Sequence, residues 1–298
     1  MPLARITNYV DGNVLTGAQL NNEFDNILNN PVALVSAARP SISKVQGLTG
    51  SLVSNIGSFA ANGYEMKTTT VLATVTATSS YSINTRTVGP IANGRDQAAA
   101  FASTTIHFYA ISTGGTSTSA VGICSSVAPP TGPTLPAGYT GWTYLASAIY
   151  SPTTSETLIS AIVMGARTYY DNAQTVGTFL TSVGSPTSGY AKVPRTAAHM
   201  HMTVAPTGVF ASTGGPLDIS ATLSALAGGL GTNITINPII YNASTAAGGA
   251  YQGAPIPFTL PNLETTPMVY YTGAVNTGTS GRFPVLVTGF SVPNGDVG

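Results

Sequence analysis

Thr104-Thr105-Ile106-His107-Phe108-Tyr109-Ala110-Ile111 is a run dense in β-branched and aromatic side chains, and it predicts a strand. Two other segments ahead of Gly184 share its grammar. Thr69-Thr70-Val71-Leu72-Ala73-Thr74-Val75-Thr76-Ala77-Thr78 and Leu158-Ile159-Ser160-Ala161-Ile162-Val163-Met164 also show a period of two between Gly, Pro and Ser clusters. The second half repeats the pattern in His199–Val204, Leu217–Leu226, Asn233–Tyr241, Pro267–Thr272 and Phe283–Val292. Short strands separated by turns rather than helices predict a mainly β fold, built from antiparallel β-sandwich or jelly-roll-like modules.

Turn chemistry divides the chain. Gly184-Ser185-Pro186-Thr187-Ser188-Gly189 is a polar cluster between two strand-rich blocks, so modules are expected over 68–184 and 185–298. Pro129-Pro130-Thr131-Gly132-Pro133-Thr134-Leu135-Pro136-Ala137-Gly138-Tyr139 reads as a long rigid turn inside the first.

Ahead of the strands, residues 31–67 read as a connector or stalk. Val45, Leu48, Leu52, Ile56 and Phe59 form a heptad-like seam, which Gly47, Gly50 and Gly57 interrupt. Each interior glycine costs a helix about 1 kcal/mol. A short, irregular, multi-chain stalk is the expectation.

The first thirty residues carry a well specified helix. Thr16 and Gln19 form a capping box, and Leu15 before the cap pairs with Leu20 in a hydrophobic staple. Leu20, Phe24, Ile27 and Leu28 then make one apolar stripe, opposite a face of Asn and Asp. Pro31 ends the helix. A helix this short is marginal alone, so its stripe needs a partner. Periodicity alone leaves that partner open between the chain's own core and another protein.

Arg5–Gly12, Val14–Thr16 and Gln19–Asn29 together resemble the amino-terminal segment of tailed-bacteriophage structural proteins, particularly tail fibres. The resemblance implies that residues 1–30 dock on a virion through Leu15, Thr16, Gln19, Leu20, Phe24, Ile27 and Leu28. It further implies a homo-oligomer, a trimer, whose partners are a tail adaptor, portal or neck complex. Its place would be the virion, after synthesis in the host cytoplasm. Leu135-Pro136-Ala137-Gly138-Tyr139-Thr140 also resembles a turn common in the β-domains of phage fibre proteins. The expected function is a non-enzymatic fibre whose β-modules contact a host surface glycan or protein. The alternatives are a head or neck decoration protein that stabilises the particle, and a glycan-cleaving tailspike.

Composition fits a neutral assembly protein. Among 298 residues, 7% are charged and the formal net charge is zero, against roughly a quarter charged in an ordinary soluble domain. Lys and Arg are scattered, which argues against nucleic acid as a partner. With 43% hydrophobic residues the chain can bury a core, and solubility falls to Ser, Thr, Asn and Gln. One cysteine, Cys124, excludes an intrachain disulfide framework. No uninterrupted apolar run has the length of a secretory signal or membrane span, so neither export nor membrane insertion is expected. Asn233-Ile234-Thr235 and Asn242-Ala243-Ser244 match the glycosylation pattern but read as strand and turn residues.

Little in the sequence advertises chemistry, and neither a catalytic residue nor a cofactor is expected. Glycoside hydrolysis needs two carboxylates, yet Asp96, Glu156, Asp171, Asp218, Glu264 and Asp296 each stand alone. Abundant Ser and Thr show no coupling to His107, His199 or His201. On a strand, His199 and His201 share a face. They resemble the His-x-His that slender trimeric phage fibres set on a threefold axis to ligate metal, whereas alternation with Met200 and Met202 reads as a half-buried strand. Tyr139, Trp142, Tyr144, Tyr169 and Tyr170 are the candidates for stacking on sugar rings, with core packing as their alternative role.

Overall fold

A computed structural model describes residues 48–60, 63–68, 72–76, 80–113, 121–129, 131–152, 156–180, 187–209, 216–227, 233–236, 239–241, 250–277 and 280–292. The amphipathic helix expected between Thr16 and Asn29, with its docking residues, lies outside them. The fold is mainly β, and its strands pair antiparallel in three sheets among the described residues. No described helix is long and apolar enough to cross a membrane.

The largest sheet has ten strands. From residues 49–180 come β1 (Thr49–Val53), β2 (Ile56–Phe59), β5 (Tyr81–Asn84), β10 (Ala161–Met164) and β11 (Arg167–Leu180). The second half supplies β13 (His199–Val204), β14 (Thr207–Val209), β18 (Ala250–Gln252), β19 (Ile256–Pro261) and β21 (Ser280–Ser291). Strand β11 pairs with β21 from Arg167↔Ser291 to Leu180↔Arg282, which joins the two sets.

Two smaller sheets cover the inner face of this one. The six-stranded sheet contains β3 (Gly63–Thr68), β4 (Leu72–Thr76), β6 (Thr105–Ser112), β7 (Val121–Ser125), β8 (Gly141–Ser151) and β9 (Thr157–Leu158). The five-stranded sheet contains β12 (Thr187–Tyr190), β15 (Pro216–Ser224), β16 (Asn233–Ile236), β17 (Ile239–Tyr241) and β20 (Met268–Thr277). The six-stranded sheet is drawn from residues 63–158, so it takes β3 from the stretch expected to be connector, and the five-stranded sheet from residues 187–277; both pack into one continuous hydrophobic core with the large sheet. Phe59 against Phe108, 5.7 Å between centroids, marks the first contact layer, and Tyr271 against Phe283, at 6.1 Å, marks the second.

The seam expected to form a stalk instead forms a hairpin from Leu48 to Phe59. Pairs Leu52↔Gly57 and Val53↔Ile56 flank a two-residue turn at Ser54-Asn55, where Ser54 has φ 56°. Leu52 and Phe59 face the core while Val53 and Ile56 face outward, so the period is two, not three and a half. Gly57 explains the choice. A Cβ at this position would lie 2.7 Å from the Phe108 ring, so the glycine serves close sheet packing rather than interrupting a helix.

Other boundaries move for similar tertiary reasons. Leu158–Met164 is not one strand: Leu158 pairs with Tyr150 in the six-stranded sheet, and Ala161 begins pairing with Tyr170 in the large one. The chain changes layers at Ile159-Ser160. Asn233–Tyr241 likewise divides into β16 and β17, which pair with successive parts of β15.

Strand β6 is buried at every position. Ile106, Phe108 and Ala110 enter the main core, whereas Tyr109 and Ile111 join a second cluster with Ile123 and Tyr144 on the opposite face. A strand buried on both faces carries little polar alternation, which is why its composition signals so strongly.

Candidate binding cleft

Strand β11 does not run straight. Its register with β21 jumps between Tyr169 and Gln174 and again between Thr175 and Gly177, and such bulges bend a strand and re-aim its side chains. The jump leaves Asp171 donating its backbone N–H to the Ser160 carbonyl at 3.0 Å. Gln174 returns to the ladder with its side-chain amide donating to the Asn172 carbonyl at 2.7 Å.

Above that irregular stretch the six- and five-stranded sheets meet, and a cleft of about 460 Å³ lies between them. One wall is the end of β8 and the β9 segment, from Ile149 to Pro152 and from Thr157 to Ile159. Gln174 contributes from β11, Thr104 from the approach to β6, and Tyr190 with Lys192 from the end of β12. The volume falls within the range of small-molecule sites, and junctions between packed units are where such sites concentrate.

The segment carrying Tyr190 and Lys192 is well anchored. The buried Tyr170 hydroxyl donates to the Lys192 carbonyl, and the Ala191 N–H donates to the Pro267 carbonyl at 2.9 Å. Tyr190 keeps 40% of its surface exposed, and burial of the remainder raises its phenol pKa, opposed by the Arg195 charge. Lys192 is the one charged side chain among the described lining residues, and no described acid forms an ion pair with it.

The five aromatics singled out from sequence do not form a common surface. Tyr144 is buried, with its hydroxyl 2.6 Å from Ser147 Oγ. Trp142 and Tyr139 are half-buried against the second cluster, where Trp142 meets the Tyr109 ring edge-on at 5.2 Å. Gly132, at φ 78°, brings the Pro-rich turn down onto Trp142: a Cβ there would lie 2.4 Å from the indole. Tyr170 packs tilted against Phe290 at 6.0 Å, leaving Tyr169 as the exposed member, within 3.4 Å of Arg167 Nη1.

His199 and His201 do share the outward face of β13, with Met200 and Met202 in the core. His201 Nδ1 lies 3.2 Å from Thr259 Oγ1, and burial, then the Arg167 and His199 charges, lower its pKa. Among the described residues no three His, Cys, Asp or Glu side chains cluster to hold a metal.

The structure also joins residues the sequence leaves apart. His107 and Ser147 are cross-strand partners on β6 and β8, with Nδ1 2.7 Å from Oγ. Ser147 Oγ further contacts the Tyr144 hydroxyl and, at 2.9 Å, Thr196 Oγ1. A hydroxyl has one proton and two lone pairs, so these three contacts saturate it. With Ser147 wholly buried, no substrate reaches its oxygen, and the pair is a core polar network rather than a nucleophile.

No protein-family model and no curated protein matches this chain. Solved structures with overlapping geometry come from viral particles. The structure of infectious bursal disease virus Gx strain overlaps 88% of this chain and 77% of its own at 12% identity, with a TM-score of 0.22. The infectious bursal disease virus VP2 subviral particle overlaps 92% and 78%, also at 12% identity, with a TM-score of 0.20. Overlaps of this quality do not define a common fold.

Proposed function

We propose that this chain is a non-enzymatic structural protein of a bacteriophage particle, a homotrimeric fibre held by residues 1–30 and presenting its β-sheets to the host surface. The observation that carries the reading is the outward face of the ten-stranded sheet. Ile162 opposes Tyr169 across β10 and β11, and Val53 opposes Ile56 across β1 and β2, so apolar pairs stand on this face among Thr49, Ser51 and Arg167. Val53, Ile162 and Met164 are each at least half exposed. Exposed apolar pairs on a chain with so few charges are the kind of surface a protein covers on assembly.

Docking follows from the resemblance of Arg5–Asn29 to phage fibre amino-termini, with a tail adaptor, portal or neck complex as the partner. The non-enzymatic part is supported by how the acids are used. Asp96 accepts from the Thr134 N–H at 3.2 Å, and both Glu264 oxygens accept from the Tyr270 hydroxyl. Asp96 thus ties the loop after β5 to the loop after β7, and Glu264 holds Tyr270 six residues on.

Deleting residues 1–30 tests the proposal. The truncated chain is expected to fold and to be missing from purified particles; normal incorporation of the truncated chain would refute docking through that segment.

A further inference from the structure

We propose that the cleft between the six- and five-stranded sheets binds an acidic saccharide, with a sugar ring against Tyr190 and its carboxylate on the Lys192 ammonium. This rests on the host-contact part of the reading above and names the place and the chemistry of that contact.

Charge makes the first selection. Lys192 is the one ionised group among the described lining residues and has no described acid partner, so the cleft attracts an anion. Arg195, close enough to oppose the rise in the Tyr190 pKa, adds a second positive charge on the same side. Glu156 precedes the lining residue Thr157 but is not itself among the lining, and its field acts on Tyr150. Neither Arg195 nor Glu156 lines the cleft, so the described lining itself carries the single positive charge of Lys192.

Lining chemistry makes the second selection. Ile149, Pro152 and Leu158 supply apolar surface, and Thr104, Thr157 and Gln174 interleave hydroxyl and amide groups with it. A sugar ring has that same mixed character, an apolar face edged by hydroxyls. The half-exposed Tyr190 adds an aromatic body with a polar tip to the opposite wall. A phosphate ester would satisfy the charge but leave the apolar wall unused.

Architecture makes the third. Gln174 reaches the cleft because β11 is bulged below it, and the Lys192 backbone is pinned by the Tyr170 hydroxyl. The backbone that carries Lys192 and the Gln174 side chain are thus held in place before a ligand arrives, which lowers the entropy lost on binding.

The test uses the full chain and isothermal titration with paired probes. Oligosaccharides ending in glucuronic acid or in a sialic acid are compared with ones ending in glucose, and with acetate and inorganic phosphate. Binding of at least one acidic oligosaccharide is expected, with the glucose-terminated one weaker by about tenfold, the scale of one charged hydrogen bond. Lys192→Ala is expected to erase that difference, and Tyr190→Ala to weaken both. Both side chains are substantially exposed, so an unchanged Tm confirms that the variants fold. Equal binding of acidic and neutral probes, an unaffected Lys192→Ala variant, equal binding of inorganic phosphate, or no binding by any acidic oligosaccharide at millimolar concentration would overturn the proposal. Because binding is read on purified chain and docking on particles, the two readings fail separately.

Discussion

His107 Nδ1 and Ser147 Oγ meet at 2.7 Å across β6 and β8, with both side chains buried. Burial lowers the imidazole pKa from 6.5 to about 4. The pair therefore sets how the fold responds to acid.

Above pH 6.5 His107 is neutral in both folded and unfolded chains and contributes no pH dependence. Below it the unfolded chain takes up a proton that the folded chain refuses until about pH 4, so stability falls across that window and then levels. At roughly 1.4 kcal/mol per pH unit, the loss between the two values is about 3 kcal/mol. Chemical denaturation from pH 7.5 to 4 checks this. His107→Gln is expected to flatten the slope, and an unchanged slope in that variant would remove His107 as its cause.

Packing at Gly57 gives a second expectation. Gly57→Ala places a methyl 2.7 Å from the Phe108 ring, which must shift within a core shared by two sheets. Overpacking of this kind costs about 1–3 kcal/mol, read as a lower denaturation midpoint. Were residues 48–59 a helical stalk, the same substitution would stabilise.

Tyr109 gives a third. Its hydroxyl donates to the Val127 carbonyl at 2.6 Å from inside the second cluster, tying the loop after β7 to the sheet. Tyr109→Phe leaves that carbonyl without this donor and is expected to cost about 1–2 kcal/mol. Equilibrium unfolding of the variant measures it.

What the sequence discloses depends on whether a signal is local. Strand β6 was legible because burial on both faces demands β-branched and aromatic residues at nearly every position. The one-face placement of His199 and His201 follows from alternation and is present in β13. The hairpin at 49–59 was hidden, because Leu48, Leu52 and Phe59 fit a heptad seam as well as a strand pair, and only the Phe108 ring above Gly57 separates the two. Tyr144 and Tyr169 look alike in sequence, yet one closes a buried hydroxyl network and the other faces solvent. The cleft left no trace in the sequence, since Thr104, Thr157, Gln174 and Lys192 converge through a layer change at Ile159-Ser160 and a bulge in β11.

Self-association through the outward sheet face is open to direct test. Ile162→Asp together with Met164→Asp sets charges on the face where Tyr169 and Arg167 stand opposite. The pair is expected to leave the Tm within a few degrees, because both side chains are about half exposed, while reducing the oligomer to monomer in analytical ultracentrifugation. An oligomer that survives both changes is held elsewhere.

We propose a place for this chain in a phage particle, anchored by its first thirty residues with its β-sheets projecting. Cryo-electron microscopy of particles carrying a gold-labelled tag at the carboxyl terminus tests it most directly. Label is expected on a projecting fibre, clear of the particle body and at threefold stoichiometry. Purified particles without label, from cells that express the tagged chain in soluble folded form, would contradict it.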